Sequence, residues 1–351
     1  MKQAAKSKKQ GFSCSLLLAA CFLNRLALTT AVALFSFAAA QFSYRGELET
    51  SANPYLISAA QQRSSGVSFG LRLHLEADYG VGPADLRLVV DPAFQLPDSG
   101  ADTALVQVGL TEAYALYHLD TVDVSAGVER LPLETARLSV PFRLEPLGEL
   151  GQPLGLVSAR ASVFLGDWRL RPAAVYRYQD EQAGAVLSVR REFSSFDLEA
   201  HALYLDGFAV GLGGSGLLGE LVLYGEVWLL SGPWDGRTAL GLSGFWDNAL
   251  WTVEAAYGPG LAVSGGPIPS NAYPQLLGQF SLPLGTSGSL ELNAGFGLPE
   301  ALLTEGRTWQ LVVSSLYNHT EPDYQLSVGP TLTHGELATA YGLRLAVTTF
   351  F

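Results

Sequence analysis

Past residue 9 the chain has no lysine, and past residue 21 no cysteine. Cys14, Cys21, Lys2, Lys6, Lys8 and Lys9 all fall in the first forty residues, so the remainder can form neither a disulfide nor a thiolate metal site. Long apolar runs are missing as well. Although 48% of the residues are hydrophobic and only 15% charged, nothing after residue 40 is apolar over the length a membrane helix needs, which argues against a helical membrane protein. The histidines are scattered: His74, His118, His201, His319 and His334 have no ligand spacing, and no Gly-x-Ser-x-Gly elbow occurs. No metal, cofactor or enzymatic activity is expected.

Charge of one sign is also scarce. Taking the four lysines and Arg25 from the 21 basic residues leaves 16 arginines against 33 carboxylates, a formal charge of −17 for the part beyond residue 40. Nucleic acid is a poor partner for that balance. The absence of lysine has two readings. One is a coding bias toward arginine; the other is a wall of guanidinium groups suited to carboxylates and anionic solutes.

The first forty residues are of a different kind. After the lysines come two apolar stretches, Leu16 to Leu23 and Leu26 to Phe37, and then Ala38-Ala39-Ala40 before Gln41. This reads as a signal peptide, residues 1–40, cleaved after Ala40. A second reading takes Leu18-Ala19-Ala20-Cys21 as a lipoprotein box with Cys21 acylated.

From residue 42 on, apolar and polar residues alternate with period two between short clusters of Gly, Asp, Asn, Ser and Pro. That is strand patterning throughout. Between 67 and 79, Val67, Phe69, Leu71, Leu73, Leu75, Ala77 and Tyr79 share one face, and Ser68, Gly70, Arg72, His74, Glu76 and Asp78 the other. Repeated in segments of about ten residues, the pattern predicts an all-β, transmembrane, antiparallel up-and-down β-barrel.

Eighteen strands are expected, with sixteen as the other even count. They fall at 42–50, 66–79, 84–92, 103–119, 121–130, 156–166, 168–178, 183–193, 196–206, 207–216, 219–230, 236–247, 249–257, 274–284, 287–297, 308–319, 322–332 and 335–351. Connections after odd strands include the long ones, 51–65, 93–102, 131–155, 258–273 and 298–307. Those after even strands are tight, as short periplasmic turns and longer outer loops require. Tyr79, Trp168, Tyr176, Tyr178, Tyr204, Trp246, Trp251, Tyr257, Trp309, Tyr317 and Tyr341 stand at strand ends, where interfacial girdles form.

In the last strand Tyr341, Leu343, Leu345, Val347, Thr349 and Phe351 share one face. It resembles the C-terminal strand of Gram-negative outer-membrane barrels, except that Thr349 stands where a larger apolar residue is usual. The resemblance implies an outer-membrane location, surrounding lipid, and recognition by the barrel-assembly machinery through Tyr341 and Phe351. Glu112-Ala113-Tyr114 followed by Val122 to Arg130 is similar to the strand pair before an inward-folding loop in porin-type families. Gly127-Val128-Glu129 departs from the usual Gly-Arg-Gln-like step.

Gly211-Leu212-Gly213-Gly214-Ser215-Gly216 has the spacing of a dinucleotide-binding loop, but no helix pattern follows, so it reads as a glycine-rich strand. Asn318-His319-Thr320 is read as turn chemistry. Nine of the sixteen arginines lie between 130 and 191. Arg160, Arg169, Arg171, Arg177 and Arg190 alternate inward, and Arg130, Arg137 and Arg143 bracket or occupy the 131–155 loop, which also carries Glu134, Glu145 and Glu149. Together the eight arginines predict a basic pore-lining wall.

Asp197, Glu199, Glu220, Glu226, Glu254 and Glu291 predict an acidic wall across the lumen. The alternative is that these charges pair between neighbouring strands and fill the barrel. The 131–155 loop is the candidate constriction. The expected function is porin-like passage of small polar or ionic solutes, with a homotrimer as a candidate assembly. A structural or adhesion barrel and a lipid-modifying barrel enzyme are the alternatives.

Overall fold

The computed structural model describes residues 41–59, 62–96, 105–131, 133, 135–139, 142, 144–146, 154–231, 235–257, 272–299, 310–335 and 338–351. The expected signal peptide, Arg143, Glu134, Glu149 and Trp309 lie outside the described residues.

Strands with one dry and one wet face have no stable place in a bilayer until their sheet closes, because an open edge leaves main-chain groups unpaired in hydrocarbon. Here the sheet closes. Its strands begin with β1 (Gln41–Ala59), β2 (Gln62–Val81), β3 (Ala84–Leu96), β4 (Leu105–Leu119), β5 (Val122–Glu129) and β6 (Leu156–Leu165). There follow β7 (Trp168–Arg177), β8 (Gln182–Glu192), β9 (Phe196–Tyr204), β10 (Phe208–Leu218), β11 (Leu221–Leu230) and β12 (Asp235–Trp246). Last come β13 (Ala249–Tyr257), β14 (Ala272–Leu284), β15 (Gly288–Pro299), β16 (Gln310–Thr320), β17 (Tyr324–Gly335) and β18 (Ala338–Phe350). Each is antiparallel to its sequence neighbours, and β1 pairs with β18 from Glu47↔Phe350 to Ala59↔Ala338.

The count of eighteen agrees with the alternation, and so does the placing of long connections after odd strands. Three boundaries are corrected. The expected 51–65 connection is mostly strand, since β1 and β2 stay paired as far as Ala59↔Gln62. Its Ser, Asn and Pro residues look like turn chemistry, but a strand that has risen clear of the membrane is wet on both faces and loses the apolar alternation. In the same way β3 runs on to Leu96, past the expected start of a loop at 93. Asn318-His319-Thr320 is the end of β16 and not a turn, and Asn318 is buried, accepting a hydrogen bond from Ser327 Oγ (2.7 Å).

Register sets the two faces. Gly213, Glu226 and Ala239 are cross-strand partners, and Ala239 pairs in turn with Ala256, so these positions of β10 to β13 share the inner face. The outer face carries exposed Leu, Val, Phe and Tyr. Exposed aromatics mark both rims: Phe42, Tyr44, Trp168, Phe196, Trp246, Tyr324 and Phe351 at the short-turn end, Tyr176, Tyr178, Tyr204, Phe208, Tyr257 and Tyr341 at the other. Where β1 meets β18, Phe351 exchanges main-chain hydrogen bonds with Gly46 (2.7 and 2.9 Å). Its ring occupies the space a side chain on Gly46 would need.

Candidate functional site

Several inner-face positions of β6 to β11 are apolar, which a water-filled lumen would not favour: Leu156, Ala173, Val175, Val186, Leu203 and Ala209. They are buried because the described residues of the 131–155 connection fold into the barrel. Its Leu131, Leu133, Phe142 and Leu144 join them in one cluster with Trp228 of β11. Phe142 stacks on the Trp228 indole at 4.3 Å between ring centroids, and His201 lies parallel to the same indole at 5.2 Å. Gly211 stands opposite Trp228, and a Cβ there would come within 2.8 Å of the indole. A glycine is what lets the ring lie flat against the wall.

Two carboxylates hold the loop backbone. Glu254 of β13, fully buried, accepts from the main-chain N–H groups of Arg137 (2.9 Å), Leu138 (3.1 Å) and Ser139 (2.8 Å), from the Ser139 hydroxyl, and from Tyr224 Oη (2.9 Å). Glu226 of β11 accepts from Thr135 N at 2.5 Å. Arg137 lies over the Tyr224 ring, 4.9 Å from its centroid, and donates to Ser243 Oγ at 2.8 Å. At the loop's root Glu145 accepts from Leu131 N (2.7 Å). A carboxylate that accepts several N–H groups is both neutralised and a strong clamp.

The arginines expected on the basic wall face inward on β6 to β8 and meet carboxylates. Arg160 pairs with Glu129 (3.0 Å), Arg171 with Glu199, and Arg190 with Asp197 (2.8 Å) and Glu192 (3.4 Å). Arg169 reaches Glu192 at 3.5 Å. Arg130 is exposed just beyond β5. Glu291 accepts weakly from Asn318 (3.4 Å), while Glu220 stands in the turn between β10 and β11, off the wall.

Three inner-face arginines of β18, β1 and β2 stand in more solvent than those of β6 to β8: Arg45 (68% exposed), Arg72 (50%) and Arg344 (48%), against 36% for Arg169 and 20% for Arg171. Their partners are Glu76, Asp91 (3.6 Å) and Glu49 (2.9 Å). No run of arginines marks these positions in the sequence, and only their parity on strands far apart in the chain could have shown them together.

Among the described residues one serine and histidine pair forms, Ser188 Oγ to His201 Nδ1 at 2.9 Å. Both residues are buried on the inner face beneath the loop, away from any lipid substrate.

At the loop-bearing rim Arg177 ties the β7–β8 turn to the β9–β10 turn, donating to Asp180 (2.8 Å) and Asp206 (2.5 Å). This hydrogen bond holds the Asp180 carboxyl below the ordinary carboxylate range. A lowered native pKa means that the tie is fully formed above the unfolded value and is lost as pH falls through the lowered one. Protection of the amides of residues 178–182, taken as the exchange rate relative to the intrinsic rate at each pH, should therefore hold from neutral pH down to about 4 and fall only below it. Loss of protection already at pH 6 would contradict the tie.

A closed antiparallel barrel of eighteen strands, with an apolar outer belt and a loop folded into its lumen, defines the porin-type class of membrane barrel. Solved structures of that class are similar over nearly their whole length. Pseudomonas aeruginosa OccK2 (OpdF) is 10% identical, with 88% of this chain and 98% of that one covered and a TM-score of 0.63. Pseudomonas aeruginosa OpdQ is 9% identical (88% and 99% covered, TM-score 0.60). A BenF-like porin from Pseudomonas fluorescens Pf-5 is 10% identical (87% and 98% covered, TM-score 0.59). At such identity the likeness is one of fold. No family model matches the chain, and no characterised protein matches it in sequence.

Proposed function

We propose that the protein is an outer-membrane channel through which small polar and ionic solutes, carboxylates foremost, diffuse down their gradients. The observation that carries this reading is the asymmetry of the lumen. The described residues of the 131–155 loop cover the inner wall from β6 to β13, while the arc of β18, β1 and β2 carries the exposed guanidinium groups of Arg45, Arg72 and Arg344. A solute passing the loop is pressed toward that arc, where a forked donor suits a carboxylate. OccK2, similar in fold, has been crystallised in complex with glucuronate, a sugar carboxylate.

The loop is then the constriction. The arginines of β6 to β8 and the carboxylates facing them line the pore chiefly as a paired framework, with Arg137, Arg169 and Arg190 at its edge. The signal peptide directs export, and the outward row from Tyr341 to Phe351 serves recognition by the assembly machinery.

Planar-bilayer recording tests the reading. The purified protein should give open, salt-dependent steps, and a silent barrel would refute it. Arg72→Gln combined with Arg344→Gln should lower the anion-to-cation permeability ratio several-fold, read from the reversal potential in a salt gradient. Arg171→Gln, at a half-buried side chain paired with Glu199, should change it far less. Equal shifts for the two would place the selective arginines on the wrong wall.

A further inference from the structure

The lipid-facing wall of a barrel should carry no charge within the hydrocarbon. Among the described residues, the outward positions of the strands hold two arginines and no carboxylate: Arg63, next to the outer tip of β2, and Arg191 on β8. Arg191 lies at the short-turn end, one residue before β8 finishes. Its cross-strand partners are the outward Trp168 and Leu198. The guanidinium sits 4.9 Å from the Trp168 ring centroid and 4.5 Å from that of Phe193. Its Nε is buried with no hydrogen-bond partner. Glu192, the nearest carboxylate in the chain, is turned to the inner face and taken up by Arg169 and Arg190. The inward arginines of β6 to β8 pair with carboxylates; this one is held between aromatic rings and left open toward the membrane surface.

A second observation adjoins it. Phe193 stacks on Phe196 at 4.2 Å, and Phe196 and Leu198 form the near wall of a groove of about 620 Å³ on the outer face of β9 to β12. The groove exists because three successive outward positions have no side chain: Gly214 and Gly216 on β10 and Gly225 on β11. Leu212 and Leu240 close its far side. The glycine-rich stretch thus serves two faces, leaving room inside for Trp228 and the loop and opening a channel along the outside. A cation at the membrane–water interface beside an apolar furrow running into the hydrocarbon matches a molecule with an anionic head and an acyl tail.

We propose that Arg191, Trp168 and Phe193 bind the phosphodiester of a glycerophospholipid in the periplasmic leaflet, and that one of its acyl chains lies in the β9–β12 groove. The short turns mark the periplasmic side in barrels of this kind, and that leaflet is where such lipids lie against the wall. The rings orient the guanidinium and shed water from it, so its unused donors are directed at the phosphate. This assignment is independent of what passes through the lumen.

The test uses the full barrel, delipidated in detergent and titrated with phosphatidylglycerol, with bound lipid counted by native mass spectrometry. Wild type should retain one lipid, and Arg191→Gln should bind it about tenfold more weakly. Leu212→Trp, which fills the groove without touching Arg191, should weaken binding to a similar degree. Heat-modifiable mobility shows that each variant is a closed barrel. Equal retention by Arg191→Gln and wild type would overturn the proposal, and unchanged binding by Leu212→Trp would overturn the groove as the acyl seat. Displacement of the lipid by millimolar inorganic phosphate would mean a site for the free anion instead.

Discussion

Replacing Glu254 by alanine should raise single-channel conductance several-fold and expose the 131–155 loop to trypsin. The loop has no regular structure of its own among its described residues, so what holds it in the lumen is the side chains it meets. Glu254 alone accepts three of its consecutive main-chain N–H groups and the Ser139 hydroxyl, at a site with no solvent. Each buried donor left without an acceptor costs about 1–3 kcal/mol, and the variant leaves several at once. The loop relieves them only by moving out to water, which widens the pore and presents Arg137 for cleavage. Glu254→Gln keeps one acceptor oxygen but loses the charge and turns donors toward donors, so it should fall between the two. Glu291→Ala is the matched control, since that carboxylate touches Asn318 and not the loop. Wild-type conductance and protease resistance in Glu254→Ala would mean that the apolar cluster holds the loop unaided.

The barrel was legible because its physics is local: a strand with one face in lipid must alternate, and eighteen such strands announce themselves one by one. Where a strand leaves the membrane the constraint lapses, and there the alternation no longer marks β1 and β2 beyond residue 50. The site was harder. The grouping of charge along the sequence puts Arg171 and Glu199 on opposed walls, yet they pair across the intervening β8, because inner-face charges in a crowded wall find a close partner before they shape a field. Glu226 and Glu254, expected among the lining, accept hydrogen bonds from the loop main chain. A signal for this was present in residues 221–230, where Tyr224 and Trp228 share the parity of Glu226. Large rings on the wet face of a strand require something dry to cover them. Nothing in the sequence names Phe142 as that cover, since the pairing spans more than eighty residues of chain.

Gly127→Ala should destabilise the barrel by about 2–5 kcal/mol, while Gly166→Ala costs only about 1–2 kcal/mol. Both glycines have positive φ, 144° and 60°. They differ in what surrounds them. Gly166 lies in the β6–β7 turn with open space where a Cβ would go, so alanine meets only its own backbone strain. Gly127 lies in β5 against β4, and a Cβ there would run into the main-chain oxygen of Ala113 and the Cα of Tyr114. Neither atom belongs to a side chain that could swing aside, so the strand itself must shift.

That shift reaches the site. Two residues on, Glu129 is buried and bonded to Ser125, Ser158 and Arg160, and the loop departs immediately after it. Gly127→Ala should therefore lower the temperature at which the heat-modifiable band is lost by much more than Gly166→Ala. It should also broaden the conductance steps, because the root of the loop is displaced while its Glu254 clamp is intact. Equal melting of the two variants would show that β5 can slide past β4 at no cost, and the loop would then be positioned from its tip and not from its root.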